Sequence, residues 1–323
     1  MKPQNSSPFL TVPYRFHNNS TFGGFFMTST TKSAPPLAGN RSFVQTYFNS
    51  WAWLILPALI FLAVFFVYPL YEILQRSVTE PELGLGNFVK FYESSVFTTV
   101  LINTLRMSFF VMFFCLLIGY PYAYLMNVSS SRIAGFLLIA VLIPFWSSIL
   151  VRTYAWTVIL QRTGIINTIL VDIGLIEKPL KLLRNFPGVV IGMTHILLPF
   201  MVLPVYAVMQ RIDKDLVLAA ESLGASPIRA FREVFFPLSL PGVYAGSLLV
   251  FVVALGYYIT PALLGSPKET MMGTMVVQQV QQIRDWGMGS TLGVVLLVVT
   301  LAVLAIIGRI VNINEVLGGG QIE

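Results

Sequence analysis

Six long stretches without a charged residue constrain most strongly what this chain can fold into. A helix needs about 20 apolar residues to cross a bilayer, and each stretch is near or above that length. Charged residues make up 11% of the chain and hydrophobic residues 56%, whereas typical soluble domains carry about 25% charged residues. The charge-free windows are 42–71, 107–131, 133–151, 185–210, 234–267 and 286–308. The sequence therefore predicts an all-α membrane protein with six transmembrane helices, the first of them from about Trp51 to Leu74.

The two ends of the chain differ in composition from the apolar middle. Residues 1–50 are rich in Ser, Thr, Asn, Gly and Pro, which is typical of disorder. No apolar core closely follows a short basic start, so this segment does not read as a secretory signal. We predict a disordered tail at 1–50, a transmembrane domain at 51–312 and a short tail at 313–323, with Trp51 and Trp53 at the membrane interface.

Several kinds of chemistry are disfavoured by residues that the sequence lacks. Cys115 is the only cysteine, which excludes a disulfide or zinc ligation by cysteines within one chain. No GxxxxGK[ST], HExxH or GxSxG motif occurs, which argues against a phosphate-binding loop and an embedded hydrolase. No carboxylate near the middle of a span is evident, which disfavours an ion-coupled carrier. We expect no catalytic residue, no metal and no cofactor in this chain.

Between the fourth and fifth spans the chain becomes polar, over QRIDKDLVLAAESLGASPIRAFREVFFP at 210–237. Asp213 is a good N-cap for a first helix, and Gly224 stands where a left-handed C-terminal cap would use it. Ser226 can cap a second helix with Pro227 at its first position, and Pro237 should end that helix. Two apolar stripes are predicted, one of Ile212, Leu216, Ala219, Ala220 and Leu223 and one of Ile228, Phe231 and Phe235.

Two short amphipathic helices joined at a glycine bend predict a surface that docks into another protein. The segment resembles the EAA loop of binding-protein-dependent ABC importer permeases, which fits into a groove on the ATPase subunit. Four residues match the family pattern in register, namely Ala219, Ala220, Gly224 and Pro237. Leu218 stands at the family's Glu position, and the nearest acid is Glu221.

The resemblance implies a permease with a cytoplasmic coupling loop at 211–237 and with ATP hydrolysis in a partner subunit. The residues that it assigns to ATPase coupling are Ala219, Ala220, Glu221, Gly224, Ala225, Pro227, Phe231 and Pro237.

Three further stretches, 119–123, 144–167 and 259–265, look like the spermidine/putrescine branch of this permease family. The resemblance implies import of a polyamine, with a dimer of ATPase subunits, a second homologous permease and an external solute-binding protein as partners. Another small solute, such as an amino-acid derivative, an opine or a metal chelate, is the alternative. An ion-coupled secondary carrier and a membrane-embedded enzyme are rivals from other classes.

The distribution of Lys and Arg favours one orientation only slightly. With the N-terminal tail inside, ten of these residues lie inside and eight in the outer loops and their edges. The resemblance decides the orientation, because a loop that binds an ATPase must be cytoplasmic. Both tails are then cytoplasmic, in a bacterial inner membrane. The net charge of +6 is not clustered, so we expect contact with membrane lipid and not with nucleic acid.

Charged and aromatic residues near the outer mouth are candidates for a solute pathway. Counting along straight helices puts Glu72, Arg106 and Arg152 there, where an ion pair or snorkelling explains them as well as a charged vestibule does. Aromatic faces can hold a cation, although an interfacial belt explains them equally. The predicted pathway residues are Glu72, Trp146, Tyr154, Tyr257 and Tyr258.

Two features of the spans concern helix packing. His195 stands alone in the fourth span, and we expect it to hydrogen-bond a neighbouring helix rather than to ligate a metal. GxxxG patterns occur at Gly242–Gly246 and Gly289–Gly293. Small residues at this spacing let helices approach closely, either within the chain or against a partner permease.

Overall fold

The structure is a computed structural model that describes residues 52–310, with side chains from 55 to 309. The predictions for the tails at 1–50 and 313–323, and for the Trp51 and Trp53 side chains, lie outside the described residues. Contacts divide the chain into two units, Met1–Leu59 and Ile60–Glu323. The packing described below is that within the second unit.

All regular elements in the described range are helical. In the first half the helices are α1 (Ala52–Leu62), α2 (Tyr68–Thr79), α3 (Gly86–Glu93), α4 (Ser95–Val128), α5 (Ser131–Trp146), α6 (Ile149–Leu160) and α7 (Ile165–Asp172). In the second half they are α8 (Phe186–Met209), α9 (Lys214–Ser222), α10 (Pro227–Ala230), α11 (Phe236–Leu255), α12 (Ile259–Leu264), α13 (Met272–Val277) and α14 (Trp286–Ile310). A π-helical turn joins α1 to α2 at Ala63–Val67 and another joins α10 to α11 at Phe231–Phe235.

Five helical runs within residues 52–310 are long and apolar enough to cross a membrane unaided. They are Ile55–Thr79, Ser95–Val128, Phe186–Met209, Pro227–Leu255 and Trp286–Arg309. We call them spans one, two, four, five and six, because a bent pair between the second and the fourth completes six. The six-span all-helical architecture predicted from the sequence is confirmed.

Span three is not the single straight helix expected at 133–151. Helix α5 ends at Trp146, and the run Ile149–Asp172 leaves it at an angle of 100°. Ser147 has an extended backbone, and its N–H bonds the carbonyl oxygen of Pro144 at 3.3 Å, which closes the helix tightly. Because the chain turns here, the depth of Arg152 cannot be counted along a straight helix from residue 133, and its position at the outer edge stays a prediction.

Spans two, four and five pack against one another around the main hydrophobic core. Long flexible side chains fill much of this core, including the fully buried Met107, Met193, Met201 and Met209. Methionine adapts to irregular gaps between helices, which suits a bundle with several prolines. A second, smaller core of Val100, Met272, Met288 and Leu292 lies beside it. Helix α13 joins the two parts, since the N–H of Met272 donates to the Thr104 hydroxyl at 2.8 Å.

Gly242 and Gly246 let span five lie directly on the backbone of span four. A Cβ added at Gly242 would stand 2.9 Å from Cα of Val205 and 3.0 Å from the carbonyl oxygen of Pro204. One added at Gly246 would stand 3.0 Å from the carbonyl oxygen of Met201. Real Cβ atoms essentially never approach as closely as the Val205 contact, so these glycines serve packing within the chain.

Replacing the first of these glycines tests the contact. Gly242→Val should lower the thermal unfolding midpoint of the purified protein, because overpacking of this kind costs about 1–3 kcal/mol and backbone atoms cannot move aside. Gly256→Ala is the matched control, since its added Cβ would meet nothing within 4 Å. Equal midpoints for wild type and Gly242→Val would contradict the packing described.

Candidate functional site

The polar loop after span four folds into two short helices, as predicted. The Asp213 carboxylate caps α9 by accepting the N–H of Asp215 at 2.9 Å. Gly224 has φ of +92°, the left-handed region that favours glycine. The Ser226 hydroxyl caps α10 by accepting the N–H of Arg229 at 3.4 Å. Local chemistry therefore determines both helix starts and the bend between them.

Pro237 does not end the second helix, contrary to the sequence prediction. Helix α10 runs through the π-helical turn into α11, so that Pro227–Leu255 forms one continuous run of 29 residues. In the turn, the N–H of Phe236 bonds the carbonyl oxygen of Phe231, five residues back. This shift in hydrogen-bond register comes directly before the proline, which has no N–H to donate, and the helix continues. The second loop helix is thus the first part of span five.

An aromatic cluster ties the base of this helix to the end of span two. The ring of Tyr124 lies 5.2 Å from that of Phe231 and 5.3 Å from that of Phe235, both edge to face. Tyr120 contacts Phe236 at 5.7 Å, and its hydroxyl lies 2.9 Å from the Ser239 hydroxyl. Edge-to-face pairs contribute about 0.5–1.5 kcal/mol each. The two tyrosines were visible in the sequence, but nothing there indicated their partners.

The tip of the loop exposes apolar side chains to solvent. Leu223 is 90% exposed and Ile228 81%, with Leu216 and Leu218 also exposed. We call these four residues the loop tip. Within the predicted stripes, Leu216, Leu223 and Ile228 are exposed, whereas Phe235 is buried and Phe231 half-buried against the protein. The bend at Gly224 is itself open, since a Cβ added there would meet nothing within 4 Å. Exposed apolar surface of this kind is typical of a docking site.

The predicted coupling residues lie along the loop, except Pro237, which lies at the start of α11. Ala219, Glu221, Gly224, Pro227 and Pro237 are exposed, and Ala220, Ala225 and Phe231 are half-buried. Glu221, Pro227 and Phe231 line a cleft of about 410 Å³ together with Leu218 and Tyr124. Leu218 and Glu221 thus face the same cleft. Their roles in coupling stay predictions.

The predicted pathway residues are not gathered into one cavity around Glu72. The Glu72 carboxylate accepts from Arg76 at 3.1 Å and from the Tyr68 hydroxyl at 3.2 Å. The guanidinium of Arg76 in turn lies 5.5 Å from the ring centroid of Trp286. These four residues line a cavity of about 520 Å³.

None of the four predicted aromatic pathway residues lines the Glu72 cavity. Trp146 and Tyr154 are well exposed, Tyr258 is partly exposed and Tyr257 packs against the main core. Neither Arg106 nor Arg152 forms an ion pair among the residues that the structure describes. Glu72, the acid considered as their partner, pairs with Arg76 instead.

A different aromatic cavity lies between spans two and four and was missed in the sequence. It measures about 700 Å³, and its walls include Phe110, Phe114, Trp156 and Phe186. The indole N–H of Trp156 donates to Nδ1 of His195 at 3.1 Å, which confirms the expected bond between neighbouring helices. The guanidinium carbon of Arg106 lies 4.7 Å from the ring centroid of Phe186. The sequence feature that could have indicated this cavity is the pair Phe110 and Phe114, which lie four residues apart on span two. Across residues 52–310, no group of three His, Cys, Asp or Glu could hold a metal ion.

Comparison with known proteins agrees with this architecture. Residues 116–314 match the family model described as "binding-protein-dependent transport system inner membrane component". The spermidine/putrescine transport system permease protein PotB of Haemophilus influenzae is 35% identical over 212 residues, which cover 66% of this chain and 74% of that protein. PotB of Escherichia coli K12 is 33% identical over 225 residues, covering 70% and 82%.

Solved structures share the fold at low sequence identity. A bacterial ABC transporter involved in the import of alginate has a chain that is 21% identical, with a TM-score of 0.63, covering 84% of this chain and 100% of that one. The MetNI methionine ABC transporter gives a TM-score of 0.53 at 19% identity, covering 67% and 95%.

This chain belongs to the family of inner-membrane components of binding-protein-dependent transport systems. It is a multi-pass inner-membrane permease subunit of an ABC importer, a membrane component without enzymatic activity of its own.

Proposed function

We propose that this permease forms half of the translocation pathway of an ATP-driven importer of polyamines. The polyamine assignment is supported by the 33–35% identity to spermidine/putrescine permease proteins over about two thirds of the chain. A second homologous permease supplies the other half of the pathway, and an external solute-binding protein delivers the solute. The chain itself needs no cofactor, because ATP hydrolysis takes place in a partner.

The loop tip is the proposed contact with a dimer of ATPase subunits. Its apolar side chains would enter a groove on the ATPase, with Gly224 setting the angle between the two helices. This assignment orients the molecule, since the loop then faces the cytoplasm. With six spans, both ends of the chain are cytoplasmic as well.

Movement of the ATPase would reach the spans through two connections. The first is helical continuity, because α10 and span five form a single run. The second is the aromatic cluster, in which Phe231, Phe235 and Phe236 contact Tyr120 and Tyr124 of span two. A displacement of the tip therefore shifts spans two and five together, which is the motion that opens or closes a pathway between two permeases.

The glycine bend allows a clean test of docking. Gly224→Val should weaken co-purification of the ATPase and reduce solute uptake, because a β-branched residue at positive φ costs about 1–2 kcal/mol. A Cβ at this position would meet nothing within 4 Å, so backbone conformation is the only penalty. Gly224→Asn is the matched control, since Asn tolerates this conformation and should behave almost as wild type. Normal ATPase capture and uptake with Gly224→Val would remove the coupling role from this bend.

Uptake by cells that carry the complete transporter tests the substrate. Labelled spermidine should accumulate, and unlabelled spermidine and putrescine should compete while sugars and neutral amino acids should not. Cells lacking only this permease provide the control. Competition by an anionic or neutral solute, with none by polyamines, would refute the polyamine assignment and leave the importer assignment standing.

A solute that carries an anionic group is the second candidate. Arg106 and Arg152 have no acidic partner within 4 Å among residues 55–309. Arg106 also lies against Phe186, which lines the aromatic cavity, and so offers positive charge beside it. A permease of a putative 2-aminoethylphosphonate transport system from Salmonella typhimurium is 28% identical over 271 residues. The same competition experiment, with a phosphonate among the competitors, separates the two candidates.

A further inference from the structure

A polar cavity lies beside the start of the loop, where spans two, three and four have their loop-side ends. It measures about 800 Å³ and is open on one side. Its lining combines the end of span two at Asn127 and Ser129, the start of α5 at Ser131, and the end of span four at Gln210. None of these residues belongs to the predicted solute pathway or to the loop tip, although Asn127 and Lys214 also line the cleft of about 410 Å³ beside the loop.

The charge in this cavity is positive. Arg211 and Lys214 both line it, and no carboxylate does. Neither basic residue forms a salt bridge in the described part of the chain. The nearby Asp213 carboxylate is engaged with the N–H of Asp215 at 2.9 Å. The lining itself therefore carries two positive charges and no negative one, which favours an anionic ligand.

The start of α5 adds hydrogen-bond donors to the same place. This helix of 16 residues begins at Ser131, and the side chain of its N-cap residue Ser130 makes no capping hydrogen bond. The first N–H groups of a helix have no partner within it, and the helix dipole favours a negative charge at this end. An oxyanion between Ser131, Arg211 and Lys214 would meet both kinds of group.

Apolar residues continue from the polar end of the cavity along α5. Ala134 and Leu138 follow Ser131 at helical spacing on the lining face, and Met126 of span two also lines it. The cavity thus changes from charged to apolar in the direction in which α5 enters the membrane. A phospholipid has this same sequence of groups, whereas a free phosphate ion would use only the charged end.

We propose that this cavity binds the phosphate headgroup of an anionic phospholipid, with an acyl chain lying along Ala134 and Leu138. The proposal goes beyond the transport function and does not depend on which solute is carried. Lys214 is the first residue of α9, so a bound headgroup ties the beginning of the loop to the beginning of α5. The lipid would then hold the loop in position for the ATPase.

Native mass spectrometry of the complete transporter tests the proposal, with phosphatidylglycerol, phosphatidylcholine and inorganic phosphate as separate probes. The wild type should retain phosphatidylglycerol in preference to phosphatidylcholine. The double variant Arg211→Gln, Lys214→Gln should bind phosphatidylglycerol roughly thirtyfold more weakly, since each basic residue near an anionic headgroup contributes a factor of about five. The double variant Arg162→Gln, Lys178→Gln removes the same charge elsewhere on the chain and should bind as wild type.

Two further variants keep the test decisive. The exchange Arg211→Lys, Lys214→Arg preserves the charge and should preserve binding, which controls for misfolding of the neutral variant. Leu138→Gln should weaken phosphatidylglycerol binding and leave any phosphate binding unchanged.

Three results would overturn the proposal. The first is equal phosphatidylglycerol affinity of the wild type and the neutral double variant. The second is displacement of the lipid by inorganic phosphate with no effect of Leu138→Gln, which would define a free phosphate site. The third is loss of ATPase capture by the neutral variant in lipid-free detergent with lipid binding intact, which would make the cavity a protein contact.

Discussion

The close contact of span five with the backbone of span four is the constraint on which the rest of the structure depends. At Gly242 and Gly246 there is no room for a side chain, because atoms of Met201, Pro204 and Val205 occupy the space. Without a hydrophobic driving force between helices in lipid, such close packing is what holds spans together. It fixes the two helices that the polar loop connects, and so it fixes the base from which the loop extends.

The loop is therefore part of the helix bundle at its base and free of it at its tip. The base is held by the aromatic contacts of Phe231 and Phe235 with Tyr124, and by helical continuity through the π-helical turn. The tip leaves Leu223 and Ile228 exposed to solvent. Exposed apolar surface is unfavourable in water, and burial against a binding partner would offset this free-energy cost. A rigid base and an exposed tip are the properties required of an element that transmits motion from one protein to another.

Features that depend on neighbours in sequence were predictable, and features that depend on distant contacts were not. The caps at Asp213 and Ser226 and the bend at Gly224 follow from local chemistry, and the structure has them all. Continuation of the helix through Pro237 depends on a shift in hydrogen-bond register, which residue types do not reveal. The 100° turn after Trp146 was not predicted either. Prolines occur in several spans, and only tertiary packing decides which of these spans bends sharply.

Among the charged residues, too, a partner nearby in sequence was predictable and a distant partner was not. Glu72 pairs with Arg76 one helical turn away, a partner that spacing along the chain makes available. The expected meeting of Glu72 with Arg106 or Arg152 required a common depth and a common face, and the bend in span three undermines the count of depth for Arg152. Likewise, a lone His195 indicated a hydrogen bond to a neighbouring helix, but the identity of Trp156 as the donor depends on how α6 folds back.

Rigid transmission from the loop to span five is the central claim, and a distance measurement tests it most directly. Spin labels at Arg229 and Tyr244, in a complete transporter whose Cys115 has been replaced by Ala, would lie on the same helical run about 22 Å apart along its axis. Pulsed electron paramagnetic resonance should give the same narrow distance distribution with and without bound ATP. A pair with one label on each of the two permeases should change under the same conditions. A second distance between positions 229 and 244 on ATP binding would mean that the helix flexes at the π-helical turn, and the claim of rigid transmission would be wrong.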